Sequence, residues 1–106
     1  MAQTLDSFLK YAELLSIYQN LLSDTQREIL GDYFFYNLSF SEIAENRNIT
    51  RSAVEDAVKK GKKKLDDYEE KLCSLKVLQE IRNLKANTSD EKTKAKLDKI
   101  ERMMKQ

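Results

Sequence analysis

Residues 38–65, LSFSEIAENRNITRSAVEDAVKKGKKKL, decide the fold. Ser39 with Glu42 three residues on makes a capping box, in which each side chain satisfies a free backbone donor at a helix start. The spacing predicts a short helix over 40–46 with Ile43 and Ala44 facing inward. Asn46, Arg47 and Asn48 supply the turn, and Ile49 sits within it. Thr50 then caps a second helix whose apolar face begins with Val54 and Val58. A short scaffold helix, a tight turn and a second helix read as a helix-turn-helix, a shape able to present its second helix to a DNA groove.

Upstream, Leu5, Phe8, Leu9, Ala12, Leu15, Tyr18 and Leu22 recur at intervals of three and four, which predicts a helix starting at a Thr4 cap. Ser23 and Gln26 make another capping box, so a second helix is expected from Asp24. Its apolar positions Ile29, Leu30, Tyr33 and Phe34 repeat helically to about Tyr36. Asn37 then stops it by tolerating a left-handed backbone.

Downstream, the helix capped by Thr50 carries a stripe of Val54, Val58, Leu65, Tyr68, Leu72 and Leu75, with Gly61 on the same line. A stripe running past a small domain needs a partner: the first helix, a folded-back C-terminal helix or another subunit. In the last case Leu65, Tyr68, Leu72 and Leu75 would be the dimer contacts. The phase shifts around Leu72, Cys73 and Ser74, which predicts a bend. Leu75, Leu78, Ile81 and Leu84 mark the helix beyond it. Thr88 with Glu91 offers a cap for a last helix, whose few apolar residues (Ala95, Leu97, Ile100, Met103 and Met104) suit a tail that frays unless it packs on something. The expected organisation is a helix-turn-helix domain over 1–72 and a helical extension over 73–106.

Composition agrees with an all-α chain. Among 106 residues there is no proline, and the only glycines are Gly31 and Gly61, so strong helix breakers are nearly absent. The length allows one small domain with an appendage but not two independent cores. With no histidine and the single Cys73, neither the usual zinc sites nor Cys-His or Ser-His catalytic sets are available. No glycine-rich phosphate loop occurs, so no cofactor, metal or catalytic residue is expected, and the protein reads as a binder. Cys73 has no disulfide partner within the chain. The opening MAQTLDSF has neither a basic nor an apolar secretory segment, and no apolar run approaches the roughly 20 residues that span a bilayer. The expected location is the cytoplasm, away from membranes.

The formal net charge is only +1, so attraction to nucleic acid must come from uneven placement of charge. Arg51, Lys59, Lys60, Lys62, Lys63 and Lys64 supply it, opposed between positions 51 and 64 only by Glu55 and Asp56. Lys59 and Lys63, and Lys60 and Lys64, form neighbouring rows four residues apart, while Lys62 projects elsewhere. If all six cations met phosphates, log affinity would fall against log salt with a slope of about −5, at roughly 0.9 for each phosphate neutralised. Arg51 and Ser52 stand where a recognition helix meets base edges: Arg51 suits guanine or a phosphate, and Ser52 suits either. Glu55 and Asp56 favour the helix N-terminus but repel phosphates. The alternative for the whole cluster is an ordinary solvated helix.

LSDTQREIL, then LSFSEIAE, then ITRSAVEDAVKKGKKKL together resemble region four of bacterial sigma factors. The chain is more similar still to the YlxM family, in which an N-terminal helix precedes LSxxQ and the recognition helix runs into a segment like LDDYEEKL, here residues 65–72. The likeness covers nearly all of residues 4–85. It implies a sigma-region-four-like helix-turn-helix, akin to the winged-helix superfamily but without a wing, followed by a long helical extension. It also implies a cytoplasmic bacterial regulator of transcription that binds DNA and is associated with the signal recognition particle pathway through gene neighbourhood. Carried over by position, Thr50, Arg51, Ser52, Glu55, Asp56 and Lys59 occupy the exposed recognition-helix positions. Two departures stand out. Glu55 and Asp56 replace basic or neutral residues, and Asn48 replaces the usual turn glycine, whose left-handed backbone asparagine can adopt. An adaptor docking on the particle's protein or RNA through the lysine face and the apolar C-terminal stripe would accommodate the two acids, since RNA is met by shape and phosphate.

Overall fold

A computed structural model describes residues 4–104, so residues 1–3 and 105–106 of the two expected segments lie outside the described residues. Among the described residues six α-helices follow one another: α1 (Leu5–Tyr18), α2 (Asp24–Phe34), α3 (Phe40–Arg47), α4 (Arg51–Leu72), α5 (Ser74–Asn87) and α6 (Glu91–Met104). A 3-10 turn, Gln19–Leu21, links the first two. The described residues contain no strand.

The helix starts follow the local chemistry closely. The side chains of Thr4, Ser23, Ser39 and Thr50 accept from the backbone N–H groups of Ser7, Gln26, Glu42 and Ala53. At Ser39 the box is reciprocal, because Glu42 Oε1 accepts from Ser39 N at 3.0 Å. At Ser23 it is only half made: Gln26 Oε1 accepts from Ser23 Oγ and from Lys64 Nζ, at 3.3 and 3.1 Å, and leaves the cap backbone alone. Helix α2 ends at Phe34, two residues short of the expected stop, and Asn37 does take a left-handed backbone (φ 54°). The turn after α3 closes through Asn48, also left-handed (φ 56°).

The stripe of α4 finds its partners within the chain. Val54, Val58 and Leu65 are buried with Leu14, Leu15 and Tyr18 of α1, Ile29, Leu30 and Phe34 of α2 and Ile43 and Ala44 of α3. Phe8, Tyr33, Phe34 and Phe40 add ring contacts at the α1–α2–α3 end, with centroids 4.9 to 5.6 Å apart, a spacing suited to edge-on and offset rings. Leu65 is fully buried, Leu75 joins the same core and Tyr68 is half-buried with its hydroxyl donated to the Leu21 carbonyl, so of the four expected dimer contacts only Leu72 is exposed. Leu65 and Leu75 are thus taken up by this chain's own core, with Tyr68 packed partly against it.

The bend falls at Cys73, a non-glycine residue with φ 54° and ψ 23°. Its own side chain does not cap α5. That task falls to Glu69, one turn back on α4, whose carboxylate accepts from Leu75 N at 3.0 Å, Lys76 N at 3.2 Å and the Tyr18 hydroxyl at 2.7 Å. Tyr18 Oη also accepts from Ser74 N. Helix α6 begins on Asp90 and not, as expected, on Thr88: Asp90 Oδ1 accepts from Lys92 N at 3.1 Å and its other oxygen from the Thr93 hydroxyl. The expected frayed tail is a helix folded back on α5, held by buried Leu97 and by pairs of Lys85 with Asp98 and of Arg82 with Glu101.

Candidate nucleic-acid interface

Helix α3 and the first turns of α4 make the helix-turn-helix, and α2 holds them in register. Arg47, at the end of α3, donates through Nε to Asp32 at 2.6 Å and through a terminal nitrogen to Glu28 at 3.1 Å. The hydrogen bond to Asp32 holds the guanidinium above its ordinary range, against the opposing effect of burial. Arg47 is therefore a clamp between α2 and α3, a role its position in the turn did not suggest. The Ser39 backbone N–H draws the Glu42 carboxyl below its usual range, as expected of a carboxylate serving a helix start.

Val54 and Val58 face the core, while Arg51, Ser52, Glu55, Asp56, Lys59 and Lys60 are exposed on α4. Thr50 is exposed too, its hydroxyl oxygen accepting from Ala53 N while its proton stays available. Lys63 and Lys64 continue the exposed surface one turn on. The seven residues expected to touch nucleic acid are thus all exposed, six along α4 and Thr50 at its cap. Lys62 does depart from them: it is half-buried, with its ammonium 4.8 Å from the centre of the Tyr11 ring.

These cations are largely paired. Arg51 meets Glu55 at 3.2 Å, Lys60 meets Asp56 at 3.0 Å and Lys63 meets Asp67 at 3.5 Å, all across one helical turn. Lys64 donates to Gln26, while Lys59 makes no ion pair among the described residues. The acid–base spacing of four was legible in the sequence, and it turns a basic row into alternating charge. Two turns on from Lys59, Asp66 accepts from the Tyr11 hydroxyl at 2.8 Å. Burial, reinforced by that bond, pushes the Tyr11 phenol up to about 12.

Among the described residues no group of histidine, cysteine or acidic side chains is arranged to hold a metal ion, and no helix is long and apolar enough to cross a membrane. Fold and exposed helix together define a helix-turn-helix protein. Residues 5–106 match the family model described as "Putative helix-turn-helix protein, YlxM / p13 like", and the chain belongs to that family, UPF0122. It is 44% identical to a UPF0122 protein of Fusobacterium nucleatum over 96 residues, which covers 91% of this chain and 93% of the relative. A UPF0122 protein of Malacoplasma penetrans is 49% identical over 59 residues, covering 56% and 55%. One of Bacillus cereus is 41% identical over 73 residues, covering 69% and 66%. The family is described by its helix-turn-helix and not by an enzymatic activity.

Proposed function

We infer that this chain is a non-catalytic regulator of transcription that binds duplex DNA with α4. Its contacts are Thr50, Arg51 and Ser52 at the base-reading end and Lys59, Lys60, Lys63 and Lys64 along the phosphates. The observation that carries this reading is the exposure of all seven along a recognition helix backed by α3. The pairing of Arg51, Lys60 and Lys63 with acids does not forbid it. Exposed ion pairs are worth about 0–1 kcal/mol each, so a phosphate can displace the acid at little cost. Regulation would follow from occupying a site, blocking or recruiting transcription machinery without chemistry of its own.

Fluorescence anisotropy with labelled duplexes tests it. Binding at low salt should weaken steeply as salt rises, and the triple change Lys59→Ala, Lys60→Ala and Lys63→Ala should weaken it on all sequences. The same change should flatten the salt slope by about 0.9 for each phosphate that is no longer neutralised. Absence of binding to any duplex at low salt overturns the proposal. A second reading, an adaptor docking on signal recognition particle protein or RNA in the cytoplasm, is favoured by one observation. The acids paired with Arg51 and Lys60 occupy the base-reading turns, where a DNA reader gains least from them. A pull-down at moderate salt that recovers no component of the particle counts against it.

A further inference from the structure

The α5–α6 hairpin carries a second surface, distinct from the exposed face of α4. Arg82 pairs with Glu101 of α6 and also with Glu13 of α1 at 2.9 Å, so α1 covers the flank of the hairpin on which these three residues meet. At about 100° per residue, Val77 and Leu84 lie across α5 from Arg82, and Ile100 and Met103 lie away from Glu101 on α6. Because Arg82 and Glu101 face each other on one flank, the four apolar residues share the opposite flank. All four are exposed: Val77 49%, Leu84 54%, Ile100 43% and Met103 63%.

This flank has a charged rim. Lys92, Lys96 and Lys99 follow one another at helical spacing along α6, beside Ile100 and Met103, and their side chains make no ion pair or hydrogen bond among the described residues. They contrast with Arg51, Lys60 and Lys63 of α4, which have acids beside them, and with Lys85 and Arg82, which have taken Asp98 and Glu101 for the hairpin itself. Two packed helices with an apolar seam form a groove suited to a third. We propose that this groove binds an amphipathic helix of a partner protein, with apolar residues at three- and four-residue spacing and acidic residues facing Lys92, Lys96 and Lys99. Nucleic acid would use the lysines but leave the apolar seam unexplained. A second copy of the chain would bring only Glu80 on the exposed edge of α5 against the three lysines.

The test uses the full chain and a fluorescein-labelled synthetic peptide of three heptads, leucine at a and d and glutamate at e and g, whose own repulsion keeps it from self-pairing. The acidic peptide should bind. Affinity should fall at least tenfold for the isomer with lysine in place of glutamate, for the protein carrying Lys92→Glu, Lys96→Glu and Lys99→Glu, and for Leu84→Asp, with circular dichroism unchanged in both variants. The Lys59, Lys60 and Lys63 alanine variant should bind the peptide normally, which separates this site from the α4 surface. No binding of the acidic peptide, equal binding of the basic isomer, or indifference to Leu84→Asp overturns the proposal. So does a wild-type dimer in sedimentation that Leu84→Asp dissociates, or capture of phosphatidylglycerol vesicles or duplex DNA by the same three lysines without capture of the peptide.

Discussion

Gly61 lies in the buried stripe of α4, where an added Cβ would sit 2.5 Å from Cδ1 and 3.0 Å from Cγ of the fully buried Leu30. Alanine would gain about 1 kcal/mol of helix propensity but force Leu30 to move in a packed core, at about 1–3 kcal/mol. Gly61→Ala should therefore lower stability by about 1 kcal/mol in urea unfolding, against the usual rule for a glycine within a helix. Tyr11 gives a second residue-level expectation. Its folded pKa of about 12 exceeds the ordinary 10.0, so the native state holds the phenol proton more tightly than the unfolded chain does. That contribution is complete below pH 10 and is lost as pH rises from 10 to about 12. Unfolding followed across this window should show stability falling, and Tyr11→Phe should flatten the fall. The sequence revealed where Gly61 lies on the stripe, but not that Leu30 fills the space beside it, because the two residues belong to different helices.

At the scale of the element, the starts of α1, α3 and α4 were legible because cap and donor are three residues apart. The start of α5 was not, because its cap comes from Glu69 on the preceding helix and from Tyr18 on the first. Glu69→Ala leaves the Leu75 and Lys76 N–H groups and the Tyr18 hydroxyl without their acceptor, which should cost about 1–3 kcal/mol. Amide exchange should quicken in α5 and α6 before it does in α3. Cys73→Gly removes the left-handed penalty of a residue with a Cβ, roughly 1–2 kcal/mol before glycine's own entropy cost, and should leave the bend intact with equal or greater stability. For α6, Asp90→Ala should loosen the helix by about 1 kcal/mol and Thr88→Ala by less, since Asp90 holds the Lys92 amide.

Over the whole molecule, the chain measures 52 by 24 by 23 Å, lengthened by the hairpin beyond the helix-turn-helix. Periodicity disclosed the stripe of Leu65, Leu72 and Leu75 but was silent on what covers it, since the same spacing serves a core or an interface. The distinction is testable. Leu65→Asp buries an unpaired charge and should abolish cooperative folding as seen by circular dichroism, whereas Leu72→Asp, on the surface, should leave the melting curve nearly unchanged. The exposed face of α4 was legible in the same way, residue by residue, while the three lysines of α6 escaped notice because their freedom depends on which acids the hairpin consumes. The joint at Cys73 also couples the hairpin to the rest of the chain. The acceptors that start α5 come from Tyr18 and Glu69, which lie 51 residues apart. Those acceptors come together only when α1 and α4 are docked, so the start of α5, and with it the hairpin, is tied to the integrity of that docking.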